Sequence, residues 1–309
     1  MPPRVSIIIP AYNAHAFIAA TLDSALAQTV APAEIIVIND GSTDATPELL
    51  KAYDDRIQIS HQQNAGQAAA RNHGARLARG DWLLFLDSDD LLDSDYLAQQ
   101  GALLTRLDGA DAVYCDHRTI DETGQITATT GALGYPRPSG DILSALLHGP
   151  CIVTPGLVLL RRAAFEVTKG FNQTPTMRGY EDDALWLEMA ARGNFIYNPH
   201  TLLSYRRHAA QATRQSAYQL KASLARLTAL QAIEAAVCAR AQPELLRCYL
   251  SRLRDGHLNA AWAHSQLGNH AAALPAARAV PGSHPASPRA WRSLGHVLFH
   301  ALASAGGRR

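Results

Sequence analysis

Cysteine is scarce in this chain, and its placement argues against two structural classes. The four cysteines among 309 residues, Cys115, Cys151, Cys238 and Cys248, show neither CxxC spacing nor a cluster with histidine. A structural zinc site and a disulfide scaffold are both unsupported, and buried free thiols are expected. Long apolar runs are missing as well, since nothing approaches the ~20 residues of a membrane-spanning helix. No basic and apolar leader precedes the first strand-like run at Val5, so a cytosolic protein is expected. Two phosphate-binding signatures are also absent: no GxGxxG follows the first apolar run, and no GxxxxGK[ST] occurs anywhere. Any phosphate bound here must be held by other means, with a metal ion and arginine as the available chemistry.

The length allows a substantial core in one large domain or two smaller ones. Net charge is +1, but its distribution is uneven. Up to Gln215 there are 17 basic against 24 acidic residues, a charge of −7; from Ser216 onward there are 11 against 3, a charge of +8. The second stretch is rich in Ala, Leu, Arg and His, loses strand signals, and carries Pro281, Pro285 and Pro288 as helix breakers. The expected organisation is therefore an α/β domain over residues 1–215 followed by a basic helical region over 216–309.

Within the first stretch, apolar β-branched runs alternate with helical periodicity. Val5 to Ile9 ends at Pro10, and Glu34 to Ile38, Ile57 to Ser60 and the run from Trp82 follow, as expected of strands covered on both faces. Helical stretches fall between them, one holding Phe17, Ile18, Leu22 and Leu26, one starting at Thr46 as N-cap with Pro47, and one across Gln67 to Ala78. Alternation of this kind predicts a mostly parallel sheet flanked by helices. Later strands are expected at Ala112 to Cys115 and Leu157 to Leu160, a helix at Glu181 to Arg192, and a mobile polar loop from Gly170 to Gly179.

The run from Trp82 to Asp90, WLLFLDSDD, empties a buried strand into three carboxylates. Asp87, Asp89 and Asp90 repel one another unless something cationic lies among them, and hard oxygen ligands favour Mg²⁺ or Mn²⁺. An isolated Asp-x-Asp also occurs in solvated turns, so its weight comes from position: ligands of open α/β sheets bind at the carboxyl ends of strands.

Five segments in order resemble the family 2 glycosyltransferases: VSIIIPAYN at Val5 to Asn13, IIVINDGSTDAT at Ile35 to Thr46, NAGQAAARNHG at Asn64 to Gly74, FLDSDD ending at Asp90, and GYEDDALW at Gly179 to Trp186. The resemblance implies a GT-A fold and an inverting enzyme that uses nucleotide-diphosphate sugars. It further implies that Pro10, Ala11 and Tyr12 line the nucleotide pocket, with Tyr12 stacking on the base; a half-buried surface tyrosine is the alternative. Asp40 would accept from a base imide, which favours uracil or thymine, or it shapes the turn before Gly41. Asn39 stands where many members have a second acid. Arg71 would pair with the diphosphate through its guanidinium fork. Asp87 and Ser88 would contact the donor, and Asp89 would be the direct ligand of Mn²⁺ or Mg²⁺.

On the same resemblance, Asp182 is the general base toward the acceptor hydroxyl, with Asp183 as the neighbouring alternative. Three acids at a helix start are also what the macrodipole favours without any catalytic role. Tyr205 to His208 resembles the family's Tyr-Arg-x-His segment, which makes His208 a further metal ligand or else part of an exposed basic turn. The expected function is transfer from a UDP-sugar, with a dTDP-sugar second, to a glycan or lipid-linked acceptor in bacterial surface polysaccharide or glycolipid synthesis. No nucleic-acid partner is expected. The basic tail is either a solvated face or a peripheral membrane contact on the inner face of the plasma membrane. The rival function is a non-catalytic nucleotide-sugar-binding scaffold that uses the helical tail. A nucleotidyltransferase would need a Gly-rich basic loop after the first strand, and PAYNAH is not one.

Overall fold

The computed structural model describes residues 3–106, 109–209 and 216–266, with the single positions 273 and 275. Two compact units result, residues 1–173 with 181–211, and residues 174–180 with the chain from 212 onward.

The first unit opens with the alternation expected: β1 Val5–Ala11, α1 Ile18–Leu26, β2 Glu34–Asn39, α2 Thr46–Lys51, β3 Gln58–His61, α3 Gln67–Leu77 and β4 Trp82–Phe85. It continues with β5 Leu91–Leu92, α4 Tyr96–Arg106, β6 Ala112–Ile120, β7 Ile126–Thr129, α5 Thr130–Leu133, α6 Leu143–His148, β8 Val158–Arg161, α7 Arg162–Glu166, α8 Glu181–Ala190 and β9 Phe195–Arg206. One sheet runs in the order β3-β2-β1-β4-β8-β6-β9-β5, with β7 paired to β6 outside that path. Strands β3, β2, β1 and β4 are all parallel. Beyond them β8 lies antiparallel to both β4 and β6, and β6 and β9 are parallel again. The architecture is mixed α/β with a parallel core, as the periodicity predicted.

Every residue of β1 is buried, with Ile7, Ile8 and Ile9 fully so, which is why a continuous apolar run was needed there. Pro10 is tolerated inside this central strand for a local reason. The Ile8 carbonyl accepts from Leu86 after β4, whereas the Ala11 carbonyl accepts from Asp40 after β2. By alternation the Pro10 nitrogen faces the β4 side, where the last pair is Ile8 with Phe85, so no ladder bond is lost. Helix α3 lies close over the sheet at Gly74, where a Cβ would run into Ile8.

Three local expectations change. Thr46 begins α2 instead of capping it, and its hydroxyl accepts from the Ala14 backbone N–H at 2.8 Å. The Gly170 to Gly179 segment is not a plain polar loop: Phe171 is buried against Phe85 and Phe165, and Pro175–Met177 forms a 3-10 helix with Met177 buried. All four cysteines are free, but only Cys115 and Cys151 are buried, while Cys238 is exposed.

The described part of the second unit is helical, with α9 Ser216–Ala232, α10 Glu234–Ala239 and α11 Pro243–Gln266. Ala225, Ala229, Leu230, Val237, Tyr249 and Ala261 form its core, and the Tyr249 hydroxyl donates to the Leu230 carbonyl at 3.1 Å. Helix α9 packs on both α11 and the 3-10 helix Pro175–Met177. Pro281, Pro285 and Pro288 lie outside the described residues. No helix among the described residues is long and apolar enough to cross a membrane.

Candidate active site

The loops after β1 and β2 are fastened to each other by short polar side chains. The Asn13 backbone N–H donates to Ser42 Oγ at 3.0 Å, and Thr43 N–H donates to Asn13 Oδ1 at 2.8 Å. Asp44 accepts from the His15 and Thr46 backbones. Although burial works the other way, the bonds from Thr46 and His15 hold its carboxyl down at about 2. This zipper leaves Tyr12 projecting at the end of β1, 49% exposed, while Pro10 and Ala11 stay buried in the strand. An exposed ring beside buried backbone is a surface on which a flat ligand can stack.

Asp40 is buried and already organises the next loop. Its Oδ1 accepts from Gln62 Nε2 at 2.7 Å and Ala65 N–H at 2.8 Å, and its Oδ2 from Gly66 N–H at 2.8 Å. A carboxylate has about four acceptor sites, so one remains. Gly41, with φ +72, follows in a conformation that suits glycine. Asn39, in place of an acid, bonds His61 Nδ1 at 3.0 Å and accepts from Ser42 N–H.

At the end of β4 each of the three carboxylates has a partner from a distant part of the chain. Asp87 Oδ1 accepts from Arg71 Nη2 at 2.6 Å, and its Oδ2 lies 3.2 Å from the Thr154 hydroxyl. Asp89 Oδ2 lies 2.9 Å from His208 Nε2. Asp90 is fully buried, with Oδ1 accepting from the Arg206 N–H at 2.9 Å and Oδ2 3.2 Å from Thr154. Burial, then Asp89 and Asp87, push the Asp90 carboxyl well above the usual range. Ser88 is half-buried in the turn, its carbonyl held by the Thr21 hydroxyl at 3.0 Å. The His208 ring packs on Phe17 at 5.0 Å, and the Arg206 guanidinium covers the same Phe17 ring at 4.8 Å.

Arg71 occupies a place that its position on a helix did not suggest. Its side chain is 3% exposed and bridges Asp87 to Glu181, with Nη1 3.3 Å from Glu181 Oε1. Burial would favour its neutral form, but Asp87, Glu181 and Asp182 reverse that and hold the guanidinium charged. Both ends of the fork are thus engaged by carboxylates, not exposed to a diphosphate. The adjacent Asn72 side chain donates to the Phe171 carbonyl at 2.7 Å and accepts its N–H at 2.9 Å. Two consecutive residues of α3 therefore grip the chain on both sides of residues 172–180.

Asp182 follows Glu181 at the start of α8. It is half-buried, and its Oδ1 accepts the Asp183 N–H at 3.0 Å. Desolvation, then Asp183 and Glu181, push its carboxyl well above the usual range, with Arg71 opposing. A carboxyl raised in this way is a stronger base, once ionised, than an ordinary carboxylate.

The structure bonds Arg71 to Asp87 and His208 to Asp89, links the two pairs through Thr154, Asp90 and Arg206, joins the start of α8 to Arg71 through Glu181, and leaves Tyr12 and Asp40 on neighbouring strand ends. No hydrogen bond among the described residues joins those two to the carboxylates. Thr154, Arg206, Asn72 and Glu181 are partners that sequence reasoning did not assign. Arg206 lies inside the Tyr205 to His208 motif, which was a usable signal; Thr154 has no local signature.

Whether these residues fit a divalent cation depends on the donor set. Among the described residues, no three His, Cys, Asp or Glu side chains converge as a ready cage. Asp89 and His208 supply two donors at one place, and Mg²⁺ commonly takes one or two carboxylates and completes its shell with substrate phosphates and water. The pair fits a cation held jointly with a diphosphate.

The family model described as glycosyl transferase family 2 matches residues 6–168, more than half of the chain. An uncharacterized glycosyltransferase of Rickettsia typhi is 30% identical over 226 residues, covering 71% of this chain and 69% of that protein. Among solved structures, S. aureus TarS 1–349 superposes with a TM-score of 0.65 at 16% identity, covering 97% of this chain and 92% of TarS. The mannosyltransferase PcManGT from Pyrobaculum calidifontis superposes with a TM-score of 0.58 at 22% identity, covering 98% and 87%. The fold and the carboxylate-bearing strand ends define a sugar-transferring enzyme of the GT-A type. The chain belongs to glycosyl transferase family 2, and its activity is that of a glycosyltransferase.

Proposed function

We propose that this glycosyltransferase moves a sugar from a UDP-sugar, with a dTDP-sugar second, to a hydroxyl of a glycan or lipid-linked acceptor, with inversion at the anomeric carbon. One observation carries the reading: the Asp89–His208 pair is linked to Asp87 through Arg206, Asp90 and Thr154, and Asp87 is linked to the base-bearing start of α8 through Arg71 and Glu181. TarS has been solved with UDP and with UDP-GlcNAc, and PcManGT with GDP-Man and Mn²⁺, which supports a nucleotide-sugar donor and a divalent ion.

In this reading Tyr12 stacks on the base above Pro10 and Ala11, the remaining acceptor site of Asp40 meets the base imide, and Asp87 and Ser88 meet the donor. Asp89 and His208 would hold Mn²⁺ or Mg²⁺, which when bound neutralises charge on the departing diphosphate. Asp182 takes the proton of the acceptor hydroxyl as that oxygen bonds the anomeric carbon. The bond to the diphosphate breaks on the opposite face, so the centre inverts. Arg71 acts here as a positioning residue between Asp87 and Glu181. Residues 1–215 form the catalytic domain and 216–309 the basic helical region, working in the cytoplasm or at the inner membrane face.

The test is a calorimetric titration of the protein with UDP, GDP and dTDP, with and without Mn²⁺. Metal-dependent preference for UDP supports the reading. Absence of any nucleotide binding refutes it.

A further inference from the structure

Helix α11 carries Arg252, Asp255, Asn259 and Trp262 at spacings of three and four residues, which places them on one face. Together with Arg226 of α9 they line a cleft of about 290 Å³ formed wholly within the second unit. The two helices approach closely at Gly256, where a Cβ would lie 3.3 Å from Leu227 Cδ1 and 3.4 Å from Leu230 Cδ1. Trp262 is 48% exposed, one of few large apolar side chains left open to solvent among the described residues.

We infer that this cleft is a saccharide-binding subsite selective for sugars that bear a carboxylate or phosphate. Most small-molecule pockets have mainly apolar walls, whereas here Leu258 and Trp262 are the only apolar side chains among the lining residues. A polar ligand with one flat apolar face suits that composition. An indole offers its face to the C–H side of a pyranose ring, while the Asn259 amide and the Asp255 carboxylate donate to and accept from hydroxyls. Two guanidinium groups favour a planar anionic substituent over a neutral one. Asp255 is already ion-paired with Arg254 at 2.9 Å and Arg252 at 4.0 Å, which keeps its carboxylate from repelling such a ligand fully. Over the described residues 216–266 there are 6 basic against 3 acidic side chains, and this excess acts in the same direction at longer range.

The cleft would hold an acceptor glycan away from the reacting hydroxyl, a role that rests on the glycosyltransferase reading above. Within the second unit, helix α9 lines the cleft with Arg226 and also packs on the 3-10 helix Pro175–Met177.

The experiment titrates the full chain with trigalacturonate, glucose 6-phosphate and neutral maltotriose, followed by calorimetry and tryptophan fluorescence, with UDP plus Mn²⁺ titrated in parallel. Saturable binding of at least one anionic probe, tighter than maltotriose, is expected. Trp262→Ala should weaken it roughly tenfold or more, Trp262→Phe should restore part of it, and Arg252→Gln should reduce it to the maltotriose level, all with UDP binding unchanged. Failure of both anionic probes in a protein that binds UDP overturns the subsite, as does binding indifferent to Trp262→Ala and Arg252→Gln. Trp262-dependent binding to phosphatidylglycerol vesicles in place of both probes also overturns it. Trp262-dependent saccharide binding without UDP binding leaves the subsite standing and refutes the donor reading instead.

Discussion

The parallel half of the sheet and its mixed half assemble their parts of the site in different ways. At the ends of β1 and β2 the functional side chains are supported from the next loop: Asn13 ties to Ser42 and Thr43, and Asp40 to residues 62–66. The carboxylates after β4 take their supports from the mixed half, far along the chain. Thr154 reaches Asp87 and Asp90, Arg206 reaches Asp90, and His208 reaches Asp89 across more than 60 residues in every case. The parallel half can therefore be recognised from short motifs, whereas the mixed half exists as a site only when β8, β6 and β9 are in register.

The sharpest way to test that contrast is to remove the base on the far side of the network. Asp182→Asn should lower kcat by about 10²–10⁴ while UDP binding in calorimetry stays near wild type, because the donor pocket does not need it. The same residue sets the pH profile. As a base Asp182 must be ionised, and burial with Asp183 and Glu181 raises its pKa, so kcat/KM should fall with decreasing pH at a midpoint above the ordinary carboxylate value. Removing the opposing Arg71 charge should move that limb to higher pH.

Breaking the bridge comes next in size. Arg71→Leu leaves Asp87 and Glu181 without their shared cation in a buried place, which should cost about 3–5 kcal/mol of stability in denaturant unfolding. If the loss is small, Asp87 and Glu181 are held independently and the two sides are not coupled through α3. Asp89→Asn or His208→Ala should weaken Mn²⁺-dependent UDP binding by roughly 10–100-fold and leave metal-free binding unchanged. The smallest effect is expected for Thr154→Val, which removes one hydroxyl between Asp87 and Asp90. A loss of about 1 kcal/mol, read as a several-fold drop in donor affinity, would show that the mixed half tunes the parallel half; no change would confine Thr154 to packing.

Much of this protein was legible before folding. Continuous β-branched runs mark strands buried on both faces, because each must exclude water on two sides, and the order of β1, α1, β2, α2, β3, α3 and β4 follows from that alone. Asp87 to Asp90 were legible at the end of an apolar strand, whereas Tyr12 and Asp40 were named through the resemblance to the family's motifs. Arg71 was legible as a residue but not in its role. A helix shows which residues share a face, not which carboxylates will meet them, and burial beside Asp87 and Glu181 turned an arginine expected at a diphosphate into a bridge. His208 shows the converse, since only the long β9, paired to β6 through two register shifts, delivers it to Asp89. Sequence by itself determined where apolar surface must be hidden and which charged groups were at hand. Tertiary structure decided which of those charges face one another, because pairing across more than a hundred residues depends on strand order and register that no local pattern encodes.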